Sequence, residues 1–118
     1  MSLRVIITRD FDHMSEVAGG MVRERVARTM AERGAFVLGL ATGHSPTGVY
    51  KLLAGAVNRK ELDASKITSF NLDEYVGLPG ENAQARALHR ESFRFFMFQE
   101  LFSQLRTEFR EVNMPGAA

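Results

Sequence analysis

The chain has 118 residues, with 15 basic against 14 acidic side chains, a net charge of +1 and no cysteine. That length suffices for one domain, or part of one, burying roughly two-thirds of its unfolded surface. Scattered charges of both signs argue against a nucleic-acid or membrane-surface footprint, and the missing thiols exclude disulfides, Fe–S clusters, cysteine nucleophiles and Cys-ligated zinc.

Residues 4–8 (RVIIT) form a short β-branched run broken by residues 9–12, and they predict a first strand. The opening MSLRVIITRD lacks the long apolar core of a secretory signal, and no apolar stretch approaches the ~18 residues of a membrane span. The expectation is therefore a soluble cytoplasmic protein with no membrane partner and no nucleic-acid partner. From residue 13 to residue 33, Met14, Val17, Ala18, Met21, Val22, Val26 and Met30 recur at helical spacing. Asp12 is the expected N-cap, and Gly34 sits where a helix-ending residue belongs. Gly19 and Gly20 weaken such a helix by ~1 kcal/mol each relative to alanine, which points to close backbone packing there.

Residues 36–40 (FVLGL) are apolar without alternation, as in a strand covered on both faces. After the loop ATGHSPTG at residues 41–48, Val49, Leu52, Leu53 and Val57 form a second helical stripe. Residues 67–70 (ITSF) predict a third strand. Residues 91–106 predict a helix with two apolar sides: Phe93, Phe96, Met97 and Leu101 on one, and Phe95, Phe98, Phe102 and Leu105 on the other. One apolar side suffices for a helix lying on a sheet, so a second side implies burial between layers. Residues 112–118 have no pattern and are expected to be a frayed tail. The order β-α-β-α-β-α, without repeat or linker, predicts a single α/β domain over residues 1–118. Its sheet is expected to be parallel and Rossmann-like, with right-handed crossovers.

Two loops carry candidate chemistry. Ser45-Pro46 at a strand-to-helix junction reads as N-cap and first helical residue, and Gly43 permits a close approach of backbone to ligand. Free amides, the positive helix end and the hydroxyls of Thr42, Ser45 and Thr47 would cradle a phosphate or carboxylate. The loop is not a Walker A motif, because Val49 and Tyr50 stand where Lys and Ser/Thr are required, and no GxGxxG occurs. A capped helix without ligand is the plainer alternative. The second segment is FNLDEYVGLP, residues 70–79, which places Asp73 and Glu74 at a strand exit. Acid pairs before a turn are commonly solvated or capping groups. In a parallel α/β sheet, however, the ligand crevice lies outside the carboxyl ends of the strands, so Asp73 would face the anion loop. A carboxylate there suits proton abstraction next to a carbonyl or imine, with Asn71 and Glu74 shaping the turn or orienting Asp73. His13, His44 and His89 lack metal-ligand spacing, and nucleophilic triad chemistry has no support.

LGLATGHSPTGVYKLL and ITSFNLDEYVGLP together resemble the glucosamine-6-phosphate deaminase/isomerase family, whose wider superfamily includes 6-phosphogluconolactonases. The resemblance runs over residues 36–102 and covers the family's TGxSP phosphate loop and FNMDEYVGL segment. It implies that Thr42, Gly43, His44 and Ser45 hold the phosphate of an amino-sugar phosphate. Asp73 would be the base that moves a proton between C1 and C2 of the opened sugar. The implied reaction converts glucosamine 6-phosphate and water to fructose 6-phosphate and ammonia, with no cofactor and no metal. Two departures stand out. Where the family reads HPxSYxxFM after GLP, this chain has GENAQARALHRESFRFFM, with Arg90 for Pro and Phe93 for Tyr. No DGH segment, which supplies the family's ring-opening histidine, occurs in the 118 residues. The resemblance therefore implies an incomplete version of the family fold, inactive or very weak by itself. The alternative is a non-catalytic phosphosugar-binding module, or a half-domain that assembles with a partner chain or with itself; oligomeric state is left open.

Overall fold

Three parallel strands and three helices organise the computed structural model, which describes residues 2–74, 79–82, 84–85, 89 and 92–115. Expectations that fall on residues 75–78, 90–91 and 116–118 lie outside the described residues. In chain order the elements are α1 (Phe11–Arg33), β1 (Phe36–Leu40), α2 (Thr47–Asn58), β2 (Ile67–Asn71), α3 (Phe93–Glu100) and β3 (Glu111–Asn113). Single 3-10 turns occur at Ala64–Lys66 and Phe102–Gln104. The sheet runs β1-β2-β3, with Phe36 opposite Ile67, Leu40 opposite Asn71, and Phe70 opposite Asn113. The expected parallel α/β architecture is present.

Both ends of the chain differ from expectation. Residues 4–8 form no strand, and Leu3, Val5 and Ile7 stand 89%, 72% and 91% exposed. Strand preference is mostly the gain from packing on a partner and a half-buried face, and no described strand pairs with this run. Conversely, Val112 and Asn113, expected in the frayed tail, belong to β3. That strand is too short to announce itself in sequence. It is held because the Arg110 amide donates to the Ile67 carbonyl at 2.9 Å, opening the ladder along β2, while Phe109 is buried beside it.

α1 begins earlier than predicted. Asp10, not Asp12, is its N-cap and accepts the His13 amide at 2.8 Å. Gly34 closes the helix at φ +76°, a left-handed conformation that glycine adopts without a Cβ penalty, and its amide reaches the Met30 carbonyl at 2.8 Å. Val22, Val26 and Met30 pack into the core. Gly19 is the close approach foreseen, since a Cβ there would lie 2.9 Å from Leu52 Cδ1, whereas Gly20 faces open space.

The core lies on one face of the sheet. Leu40 and Ile67 are buried against Val26 of α1, Leu53 and Val57 of α2, and Met97 of α3. The opposite face carries Val37, 67% exposed, and Phe70, 48% exposed. The expectation that β1 is covered on both faces is thus corrected, because α1, α2 and α3 pack on the Leu40 side. α3 is also shorter than the predicted helix over residues 91–106. Its path breaks at Leu101 (φ −134°, ψ −62°). There Asn58, at the end of α2, donates to the Gln104 carbonyl and accepts the Arg106 amide, both at 2.8 Å, holding the chain out of helical register. One apolar side of α3 reaches the core through Met97 and Leu101. On the other side Phe95 and Phe98 line an open cavity of about 630 Å³ instead of meeting a second layer, and Phe102 and Leu105, beyond the end of α3, line it as well while packing against the core.

Candidate functional site

The pairing of Leu40 with Asn71 sets the geometry of the candidate site. Thr42 and Asp73 each lie two residues beyond that pair, so both loops leave adjacent parallel strands at the same end. Asn71 joins the strands further, its Nδ2 donating to the Leu40 carbonyl at 3.4 Å. The Asn71 residue is 8% exposed, and its Oδ1 is buried without a hydrogen-bond partner. A buried acceptor without a donor costs roughly 1–3 kcal/mol, so this one is poised to accept from a water or ligand group.

The loop at residues 41–46 is pinned at both ends. At its start the hydroxyl of Tyr50, a residue 5% exposed on the first turns of α2, accepts the Ala41 amide at 2.9 Å and donates to the Ala41 carbonyl. Burial pushes the Tyr50 phenol above its ordinary value, and the backbone hydrogen bond to Ala41 partly offsets this. At the loop's end, the Thr47 amide and Oγ1 both donate to the His44 carbonyl, at 3.2 and 2.7 Å. Gly43 adopts φ +101°, which side-chain-bearing residues rarely take. The amides of Gly43, His44 and Ser45 donate to no described residue.

Ser45 does not cap α2 as predicted. The helix starts at Thr47 with Pro46 in the preceding position at φ −86°, ψ −1°, and no side chain caps it. A turn, not an extended cap residue, leads into the helix, so the exposed Ser45 hydroxyl is left facing solvent. His44 is exposed and its ring stacks on Phe11 at the start of α1, with centroids 4.7 Å apart.

The two acids of the strand exit separate. Asp73 is exposed. Glu74 turns to the N-terminus of α3, where it accepts from Ser92 Oγ at 2.6 Å, the Phe93 amide at 2.8 Å and the Arg94 amide at 3.0 Å. Ser92 is fully buried and is itself the helix cap, accepting from the amides of Arg94 and Phe95. This junction was not foreseen, although a serine directly ahead of the run FRFFMF is a recognisable cap signal. Tyr50 was missed as well, because its apolar ring fits the helical stripe whatever its hydroxyl does. Among the described residues no group of three His, Asp or Glu side chains comes together as a metal site. No helix there is long and apolar enough to cross a membrane. A separate groove of about 790 Å³ at the other end of β1 is lined by Arg25, Arg28 and Arg33 with Phe36 and Val37.

Comparison with known proteins bears on this geometry directly. A glucosamine-6-phosphate deaminase of Clostridium perfringens (strain ATCC 13124) is 41% identical over 114 residues, which cover 97% of this chain and 43% of the relative. The chain is similar to the amino-terminal portion of glucosamine-6-phosphate deaminases. The deaminase of Thermoanaerobacter sp. (strain X514) is 36% identical over the same share of the chain and 41% of its own length. The solved structure of a monomeric glucosamine-6-phosphate deaminase superposes with a TM-score of 0.70 at 27% identity, covering 97% of this chain and 43% of that one. The 6-phosphogluconolactonase of Shewanella baltica OS155 shares the fold, with a TM-score of 0.65 at 17% identity. No family model matches the chain. The chain therefore spans about 43% of the length of the deaminases it resembles.

Proposed function

We propose that the chain is the sugar-phosphate-binding part of a glucosamine-6-phosphate deaminase/isomerase. The phosphate sits on the loop of Thr42, Gly43, His44 and Ser45, and Asp73 is the proton-transfer base. The observation that carries this reading is the register of Leu40 with Asn71, which sends the anion loop and Asp73 out of the sheet side by side. The amides of residues 43–45, which donate to no described residue, lie just ahead of the α2 N-terminus, where hydrogen bonding and the helix dipole both favour an anion. The free Ser45 hydroxyl adds a donor, and the orphaned Asn71 Oδ1 supplies an acceptor at the end of the neighbouring strand.

In this reading Asp73 removes the proton at C2 of the opened amino sugar and returns it at C1. Hydrolysis of the resulting imine releases ammonia and leaves the ketose phosphate. Glu74 does not share the proton. Its carboxylate is engaged by α3, so the site holds one base and not a dyad. No DGH segment is among these 118 residues, so ring opening lacks the histidine that the resemblance assigns to it. Binding should be measurable while turnover is absent or very slow.

The test is calorimetric titration with glucosamine 6-phosphate and with unphosphorylated glucosamine, beside an ammonia-release assay. The phosphorylated sugar is expected to bind in the roughly millimolar range and the unphosphorylated one not at all. Gly43→Ala should weaken binding through backbone strain at a positive φ. Equal binding of the two sugars would contradict the reading, and brisk ammonia release by the 118-residue chain would contradict its incomplete catalytic set.

A further inference from the structure

We infer that Tyr50 is a positioning residue for the anion loop, its hydroxyl bridging both main-chain groups of Ala41 so that the following amides are fixed in a ligand-ready arrangement. This inference rests on the proposed phosphate role of residues 42–45 and adds to it a group that touches no ligand.

A tyrosine in the buried stripe of a helix would ordinarily do what phenylalanine does, filling space. Here the ring is buried and the hydroxyl reaches back across the loop to the residue where strand pairing stops. The ladder between β1 and β2 ends at Leu40 and Asn71, so Ala41 is the first residue whose amide and carbonyl have no place in it. Tyr50 supplies a partner for each. The Tyr50 amide meanwhile donates to the Pro46 carbonyl at 3.0 Å, which ties the base of the side chain to the far end of the same loop. Residues 42–46 are thus suspended between two fixed points, with Thr47 on the His44 carbonyl as a third. An anion cradle built from main-chain amides has no side chain that can adjust, so its affinity depends on how few conformations the free loop explores. Removing the hydroxyl leaves the core volume nearly unchanged and frees Ala41.

The experiment compares the wild-type chain, Tyr50→Phe and Val57→Ala, titrated with inorganic phosphate under conditions where each is folded by circular dichroism. Val57 is buried at the opposite end of α2, so its truncation lowers stability without touching the loop. Tyr50→Phe is expected to weaken phosphate binding about tenfold (about 1.4 kcal/mol) and to speed hydrogen exchange at the Ala41 amide. Val57→Ala should bind as wild type. Unchanged phosphate affinity in Tyr50→Phe overturns the inference while leaving the phosphate site standing. Absence of phosphate binding by the wild-type chain overturns the site and the inference together, and equal losses in both variants reduce Tyr50 to an ordinary core residue.

Discussion

Asp73 and Glu74 are neighbours in the chain with different surroundings: Asp73 is exposed and Glu74 is bound to α3. Three donors from the start of α3 converge on Glu74, and a carboxylate at a helix N-terminus is favoured by those free amides and by the dipole. Glu74→Ala should therefore lower the unfolding free energy by about 1–2 kcal/mol. It should also speed hydrogen exchange at the Phe93 and Arg94 amides. Urea denaturation and exchange by NMR check both effects, and unchanged protection at Arg94 would contradict the capping role. Asp73 and the residues 42–45 were legible because short motifs place them on loops after strands. The duty of Glu74 was not, since Ser92 lies 18 positions away and only the fold brings the two together.

At the scale of elements, α1 and α2 meet through small residues. Gly48 opens α2 against Ser15 of α1, where a Cβ would fall 2.0 Å from Ser15 Oγ and 2.6 Å from Ser15 Cβ. Gly48→Ala cannot be absorbed by a flexible side chain and must move one helix, at a cost of roughly 1–3 kcal/mol. A drop in thermal midpoint that Ser15→Gly partly restores is the expected result; full tolerance of Gly48→Ala would contradict the contact. Helix positions were readable from apolar spacing, as were β1 from its unbroken apolar run and β2 from the short segment ITSF. The edges were harder. Arg4 to Thr8 has strand composition but no partner, and Glu111 to Asn113 has a partner but hardly any composition. Pairing, which decides between them, is a property of the sheet and not of either segment.

For the whole molecule, the one-sided sheet is the defining feature. Parallel sheets are ordinarily covered on both faces, yet Val37, Phe70 and Leu72 remain exposed here, together with the apolar run at Leu3, Val5 and Ile7. The two loops at the carboxyl ends of β1 and β2 are nevertheless held by elements within the chain: α1 stacks Phe11 on His44, α2 supplies Tyr50, and α3 fastens Glu74. The proposed function has a sugar phosphate bound by these two loops. Amide chemical-shift mapping of the chain titrated with glucosamine 6-phosphate checks this residue by residue. The largest shifts are predicted at Gly43, His44, Ser45 and Asp73, saturating together with one dissociation constant. Shifts absent from these residues, or concentrated in the arginine-lined groove at Arg25, Arg28 and Arg33, would contradict it.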